Sequence, residues 1–289
     1  MLSYDLKKKL FSWGTFFLLL ISIVLSGVFF YFQHLESLEI AGYLNNPSPD
    51  FNYERMVGLF NTYKTVGLFI KFYKISDEYM ILIMVLLLWL GVFPAVDMYR
   101  HRAEGYGNYL ISRCGLNMYY KNVIISRSVY IVTVLFLLTI CRFGLALFAG
   151  GTDYLFYEVN DVKIGLFYCV IFALLTWIVE SFFCVCINII TMGLSCFISN
   201  IYIYQVLPFL VFFLLPYLCA STIGNIINLP QHIWSIVVPF DYLNIVMRVI
   251  MDFEDKWIMI DFCVSVIIFL MAAIIAAIMG YKKLGENYL

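Results

Sequence analysis

Apolar runs of about 20 residues recur along this chain, each long enough to cross a hydrocarbon core of ~30 Å. Backbone inside lipid must satisfy its own polar groups, so such runs are expected to be helices. They fall at 10–32, 79–97, 126–148, 164–195, 201–222 and 257–280. The expectation is an all-α, polytopic membrane protein, with six membrane-spanning helices in a single domain over 1–289. The composition agrees, at 63% hydrophobic and only 13% charged. The fourth run spans roughly 48 Å as a helix, so it either leaves the bilayer, kinks near Ser181 or divides into two shorter pieces. The first run follows Lys7, Lys8 and Lys9 as a signal peptide would. At about 23 residues it is too long for a signal core, and no small-x-small pattern follows, so it reads as an anchor.

Orientation follows from the charges. With the N-terminus inside, ten basic residues and four acids face the cytoplasm, a net of +6. The outer loops 33–78, 149–163 and 223–256 then hold seven basic residues against thirteen acids, a net of −6. Basic residues accumulate on the cytoplasmic side of membrane proteins, so both termini are expected there. The expected location is the cell (plasma) membrane, crossed several times.

None of the eight cysteines lies in the long outer loops, so no disulfide framework is implied. Cys184 and Cys186 form a C-x-C with no histidine or further cysteine close in sequence, and they read as small packing residues rather than metal ligands. No metal site and no catalytic residue is expected. In the first outer loop Met56, Leu59, Tyr63, Val66, Ile70 and Tyr73 recur every three or four residues, with Lys64, Lys71 and Lys74 available for the other side. That pattern predicts an amphipathic helix lying on the outer bilayer surface and leading into the second span. Pro230 and Pro239 break the stretch 223–256, where Asp241 can cap a short helix carrying Leu243, Val246, Val249 and Ile250; such helices are expected to lie at the interface or to cover an exit path.

Charges inside spans are costly and point to function. Three occur, Arg142, Glu180 and Asp261. Counting along each helix from its outer end puts Arg142 about 9 Å deep, Asp261 about 6 Å and Glu180 about 24 Å. Arg142 and Asp261 are therefore expected to pair. Glu180 is expected to lie too deep for Arg142, and instead to line a polar pathway, to bond Ser181 or Thr176, or to sit protonated.

The segment 97–122 is polar, although it lies between two apolar runs. Ala103, Tyr106, Tyr109, Leu110 and Arg113 recur at helical spacing, which predicts a short helix lying crosswise at the cytoplasmic surface, with Arg100 and Arg102 beside the anionic inner leaflet. Gly105 and Gly107 weaken it by up to ~1 kcal/mol each, so it is expected to need a partner surface. Glu104-Gly105, Leu110-Ile111, Arg113, Tyr119-Tyr120 and Lys121 between two spans resemble the cytoplasmic loop of type-2 (ABC-2-like) permeases of ABC transporters. That resemblance implies an ATP-driven exporter, moving a peptide, antibiotic or amphipathic molecule out of a bacterial cell. It implies a coupling helix that meets a separate ATP-binding subunit through Arg102, Glu104, Gly105, Tyr106, Tyr109, Leu110 and Arg113. It also implies two copies of that ATPase, and a homodimer or a heterodimer with a second permease, joined through the first and fifth spans.

No G-x-x-x-x-G-K-[ST] is present, so the chain itself is not expected to bind ATP or Mg; hydrolysis falls to the partner, and the chain is not an enzyme by itself. Membrane lipid is an expected partner and nucleic acid is not. Rival readings are a membrane sensing or immunity protein for antimicrobial peptides, a secondary transporter without an evident repeat, and an intramembrane enzyme. His34, His101 and His232 give the last little support, since no H-E-x-x-H or nucleophile motif accompanies them.

Overall fold

The structure, a computed structural model, describes residues 2–45, 57, 60–61, 63–75, 77–86, 89–90, 93–150, 156–159, 162–198, 200–211 and 256–286. Its elements in chain order are α1 (Leu2–Leu10), α2 (Trp13–Asn45), α3 (Thr65–Ile75), α4 (Asp77–Leu86), α5 (Phe93–Ala103), α6 (Tyr106–Cys114) and α7 (Leu116–Gly150). There follow β1 (Phe156–Val159), β2 (Val162–Gly165), α8 (Leu166–Leu194), α9 (Ile201–Phe209) and α10 (Lys256–Glu286). The described chain is helical apart from one antiparallel hairpin. In it Phe156 pairs with Gly165 and Val159 with Val162, so only Asn160 and Asp161, residue types that favour tight turns, separate the strands.

Four helices are long and apolar enough to cross a membrane, within Trp13–Asn45, Leu116–Gly150, Cys169–Leu194 and Phe262–Glu286. They correspond to the expected first, third, fourth and sixth spans. α8 runs unbroken through Ser181, which removes the two-piece alternative. The second expected span, 79–97, is described only in part. It is described as α4 to Leu86 and α5 from Phe93, with 87–88 and 91–92 outside the described residues; Pro94 falls in the first turn of α5, where its missing N–H costs no hydrogen bond. The fifth, 201–222, is described only to residue 211, and the predicted helices of 223–256 lie outside the described residues.

α3 corrects the surface-helix expectation. Val66, Leu68, Phe69, Ile70, Phe72 and Tyr73 are all buried, packed among α2, α7 and α8. The stretch TVGLFIKFYKI is apolar on nearly every side except at Lys71, and a helix apolar all round is a core helix. α3 and α4 then run antiparallel to α2, since Phe72 lies against Phe29 and Phe30 while Trp89 lies beside Gly14.

α1 stands before the first span as a separate short helix. The chain turns at Phe11-Ser12, where the Thr15 hydroxyl donates to the Lys9 carbonyl and meets the Tyr130 hydroxyl at 2.7 Å. α8 and α10 run parallel and close together: a Cβ on Gly193 would lie 2.3 Å from the Ala276 oxygen, and one on Gly280 2.9 Å from the Gly193 Cα. Small residues admit such approach, which is how helices associate where lipid removes the hydrophobic drive. Phe183 meets Phe269 further along the same seam. Two apolar cores result, a large one among the long helices and a smaller one of Val96, Met98, Tyr99, Leu110, Tyr119, Tyr120, Val123, Met192, Cys196, Tyr204 and Leu284. The second core gathers α5, α6 and the start of α7 against the ends of α8 and α10.

Candidate functional site

The large core holds a charge pair. Arg142 on α7 and Glu180 on α8 are 1% and 2% exposed. Arg142 Nη1 lies 3.2 Å from Glu180 Oε1 and 3.4 Å from Oε2. Tyr79 on α4 donates to Glu180 Oε1 at 3.0 Å, and the Tyr73 hydroxyl on α3 accepts from Arg142 Nη1 at 3.2 Å. The two tyrosines flank the boundary between α3 and α4, so the pair holds a discontinuous stretch of chain. Their rings lie 4.7 Å apart, and Tyr73 also packs on Phe69 and Phe172.

This geometry overturns the expected pairing of Arg142 with Asp261. Depth counted at the Cα atoms leaves out the side chains, which tilt toward the N-terminus of their own helix. α7 and α8 are antiparallel neighbours, so Arg142 reaches toward the Leu116 end of α7 and Glu180 toward the Leu166 end of α8. The two converge from different levels. Asp261 lies in α10, and its side chain is outside the described residues. Glu180 takes its bonds from Arg142 and Tyr79 rather than from its own helix; Thr176 Oγ1 and Ser181 Oγ are buried with no hydrogen-bond partner among the described residues. Cys184 and Cys186 are buried in the same core.

Sequence reasoning missed Tyr73 and Tyr79 as partners of the pair. A signal was available, because a tyrosine in an apolar stretch must find a partner for its hydroxyl. Toward the Asn45 end of α2, Tyr63 donates to Glu36 at 2.9 Å, Lys71 lies over the Tyr63 ring and donates to Gln33, and His34 Nδ1 meets the Ala149 oxygen at 3.0 Å. Burial, helped by the Glu36 carboxylate, pushes the Tyr63 phenol up to about 12.

The second candidate region is α5–α6–α7: a short helix is present as predicted, but it begins at Tyr106, since Gly105 turns the chain after Ala103, which ends α5. Gly105 (φ 71°) and Gly115 (φ 80°) take left-handed backbone, which side chains disfavour, and they turn the chain into and out of α6. Glu104, Asn108, Tyr109, Ser112 and Arg113 are exposed, while Gly107 and Leu110 are buried. Arg113 stacks over Tyr109 at 4.3 Å. Leu110, expected at a partner contact, instead lies in the small core and anchors α6 to the bundle. Arg102 is likewise turned inward, donating to the Ile198 carbonyl at 2.8 Å and lying over Tyr99. Tyr99 stacks on Tyr204 at 5.5 Å, and His101 Nδ1 meets the Tyr119 hydroxyl at 3.2 Å. The side chains of Ala103 and Tyr106 are outside the described residues. Asn108 and Ser112, missed in the sequence reading, share the open face with Tyr109 and Arg113; the three- and four-residue spacing from Gly105 was the signal that marks them.

No protein family, curated protein or solved structure matches this chain.

Proposed function

We propose that the chain is the permease subunit of an ATP-driven exporter of the type-2 ABC kind, with α6 as the helix that docks on a separate ATPase. The observation that carries this reading is the form of α6. It is a short helix set off by two left-handed glycines, seated by Leu110 and presenting Glu104, Asn108, Tyr109, Ser112 and Arg113 outward. A crosswise element with a firm inner face and a mixed aromatic, charged and polar outer face suits a protein partner, since aromatic and arginine side chains dominate interface energetics. In this reading six spans cross the cell membrane, both termini and α6 face the cytoplasm, and two ATPase copies serve a pair of permeases. The cargo is a peptide, antibiotic or other amphiphile, and ATP and Mg belong to the ATPase.

The test is a Tyr109→Ala/Arg113→Ala double variant expressed in the native host. The protein inserts and keeps its fold, but recovery of a co-purifying ATPase falls at least tenfold, because anchor residues typically contribute about 2 kcal/mol or more each. Undiminished recovery with that variant overturns the docking role of α6. A cysteine placed at 108 and probed with a membrane-impermeant reagent checks the orientation: it stays unlabelled in intact cells and labels in inverted vesicles.

A further inference from the structure

Glu180 meets only one corner of the Arg142 guanidinium. Both carboxylate oxygens approach Nη1, and the same nitrogen serves Tyr73. Nε and Nη2 are buried and have no hydrogen-bond partner among the described residues. Those two nitrogens form the edge on which a guanidinium takes a carboxylate side-on, through two parallel bonds. A charged donor left dry is costly, so a chain that orders Arg142 this way leaves its strongest recognition edge idle. The guanidinium that carries the idle edge lies between Tyr73 of α3 and the Glu180 carboxylate that Tyr79 of α4 also holds.

We infer that the Nε–Nη2 edge of Arg142 is a binding site for the carboxylate of an apolar-tailed acid, which arrives as the neutral acid and passes its proton to Glu180. Before binding, guanidinium and Glu180 carboxylate neutralise one another. On binding, the O–H bond of the ligand acid breaks and an O–H bond forms on Glu180. The guanidinium is then neutralised by the ligand carboxylate, and the buried site gains no net charge, which a membrane interior strongly favours. Tyr79 keeps an acceptor, because a protonated carboxyl retains its carbonyl oxygen. Depth argues against a phospholipid head. Arg142 lies eight residues inside Gly150 on α7, about 12 Å along the helix, while lipid phosphates sit at the bilayer surface and stay charged.

The titratable groups facing the pair are Tyr73 and Tyr79 from α3 and α4, and Cys169 and Cys184 from α8 itself. On α10, the neighbour of α8, Phe269 and the buried Ser265 occupy the facing stretch, and the side chain of Asp261 is outside the described residues. α2 contributes Glu36 and His34 only toward its Asn45 end, where they hold Tyr63 and the Ala149 carbonyl. Glu180 is therefore the described carboxylate placed to take the proton.

The ligand is of one chemistry with two sources, a fatty acid or the free C-terminus of an apolar peptide. The inference rests on the exporter reading only in treating that ligand as cargo. Binding is measured on the full-length chain alone, in phosphatidylcholine nanodiscs without any ATPase, so failure here leaves the docking of α6 untouched. Laurate and an apolar peptide, the latter with a free and with an amidated C-terminus, are titrated between pH 6 and 8. Wild-type protein binds at least one carboxylate saturably, and its Kd weakens about tenfold per pH unit above the ligand's own pKa, the slope of one-proton uptake. Laurate alone binding identifies the fatty acid; the free peptide alone identifies the peptide terminus. Glu180→Gln binds more tightly at pH 8 and loses the slope. Arg142→Lys, which keeps the charge and loses the side-on edge, binds at least tenfold more weakly. An Arg142→Gln/Glu180→Gln protein, neutral and close in shape, shows only nonspecific partition. No saturable binding of either carboxylate overturns the site, as does equal binding of amidated and free peptide as the only ligands. Arg142→Lys binding as wild type overturns it too, and a wild-type pH slope in Glu180→Gln overturns the proton transfer.

Discussion

At the Arg142–Glu180 pair the polar groups are nearly fully buried, and their partners come from three separate segments, α3, α4 and the α7–α8 hairpin. On α6 the polar groups face outward, and Arg113 has its contact one turn away on its own helix. A buried network of that kind gains its geometry from the whole bundle, and losing one member strands the rest without water. A surface strip on a short helix can change without disturbing what lies beneath. The first region is therefore coupled to folding and the second is free for recognition.

The comparison is sharpest for single changes. Glu180→Ala leaves Arg142 buried and unpaired, and about 3–5 kcal/mol of stability is expected to go. Thermal unfolding followed by size-exclusion recovery measures it. Tyr109→Ala in the same assay stays within about 0.5 kcal/mol of wild type. Equal losses in the two variants break the distinction between the regions. Glu180→Gln/Arg142→Gln is expected to recover part of the Glu180→Ala loss, with a coupling energy of roughly 0.5–3 kcal/mol in the full double-mutant cycle; additive effects would mean that the two groups do not act as a pair.

Within α6 itself, Leu110→Ala removes the buried anchor and costs about 2 kcal/mol, whereas its exposed neighbour Tyr109 does not. At the α8–α10 seam, Gly193→Ala or Gly280→Ala pushes a methyl group into backbone and costs about 1–3 kcal/mol. Gly27→Ala, with nothing within 4 Å of its new methyl, leaves stability unchanged or slightly higher. The smallest effect concerns pH. Tyr63 is held protonated in the fold, its phenol raised from 10.0 to about 12. The folded state thus keeps a proton that the unfolded chain releases, so this contribution is whole below pH 10 and is lost as pH rises toward about 12. Tyr63→Phe abolishes that alkaline loss, which a pH series of unfolding midpoints reads directly.

How far the site could be read in advance differed between the two regions. That a short helix lies here was legible, because the recurrence of Tyr106, Tyr109, Leu110 and Arg113 is a local property of consecutive residues; its bounds at Gly105 and Gly115, with Ala103 left in the preceding helix, were not. Its inward and outward sides were not, and Leu110 and Arg102 were assigned to the wrong one. Which side of a nine-residue helix seats against the bundle depends on α5 and α7, whose Tyr99, Tyr119 and Tyr120 share the small core with Leu110, while Arg102 of α5 is drawn inward by the Ile198 carbonyl between α8 and α9. At the charge pair, the three ionisable residues were identified from the cost of burying charge in lipid, but their pairing failed, since levels counted along separate helices omit side-chain tilt.

The sequence by itself determined that the chain holds long membrane-compatible stretches at 10–32, 126–148, 164–195 and 257–280, which overlap four long helices of the structure, because hydropathy summed over consecutive residues is a local quantity. Only the tertiary structure decided that α3 enters the core instead of lying on the bilayer, and that Glu180 closes on Arg142. Those outcomes depend on the offset and direction of antiparallel helices, which contacts between residues distant in sequence set and no single stretch encodes.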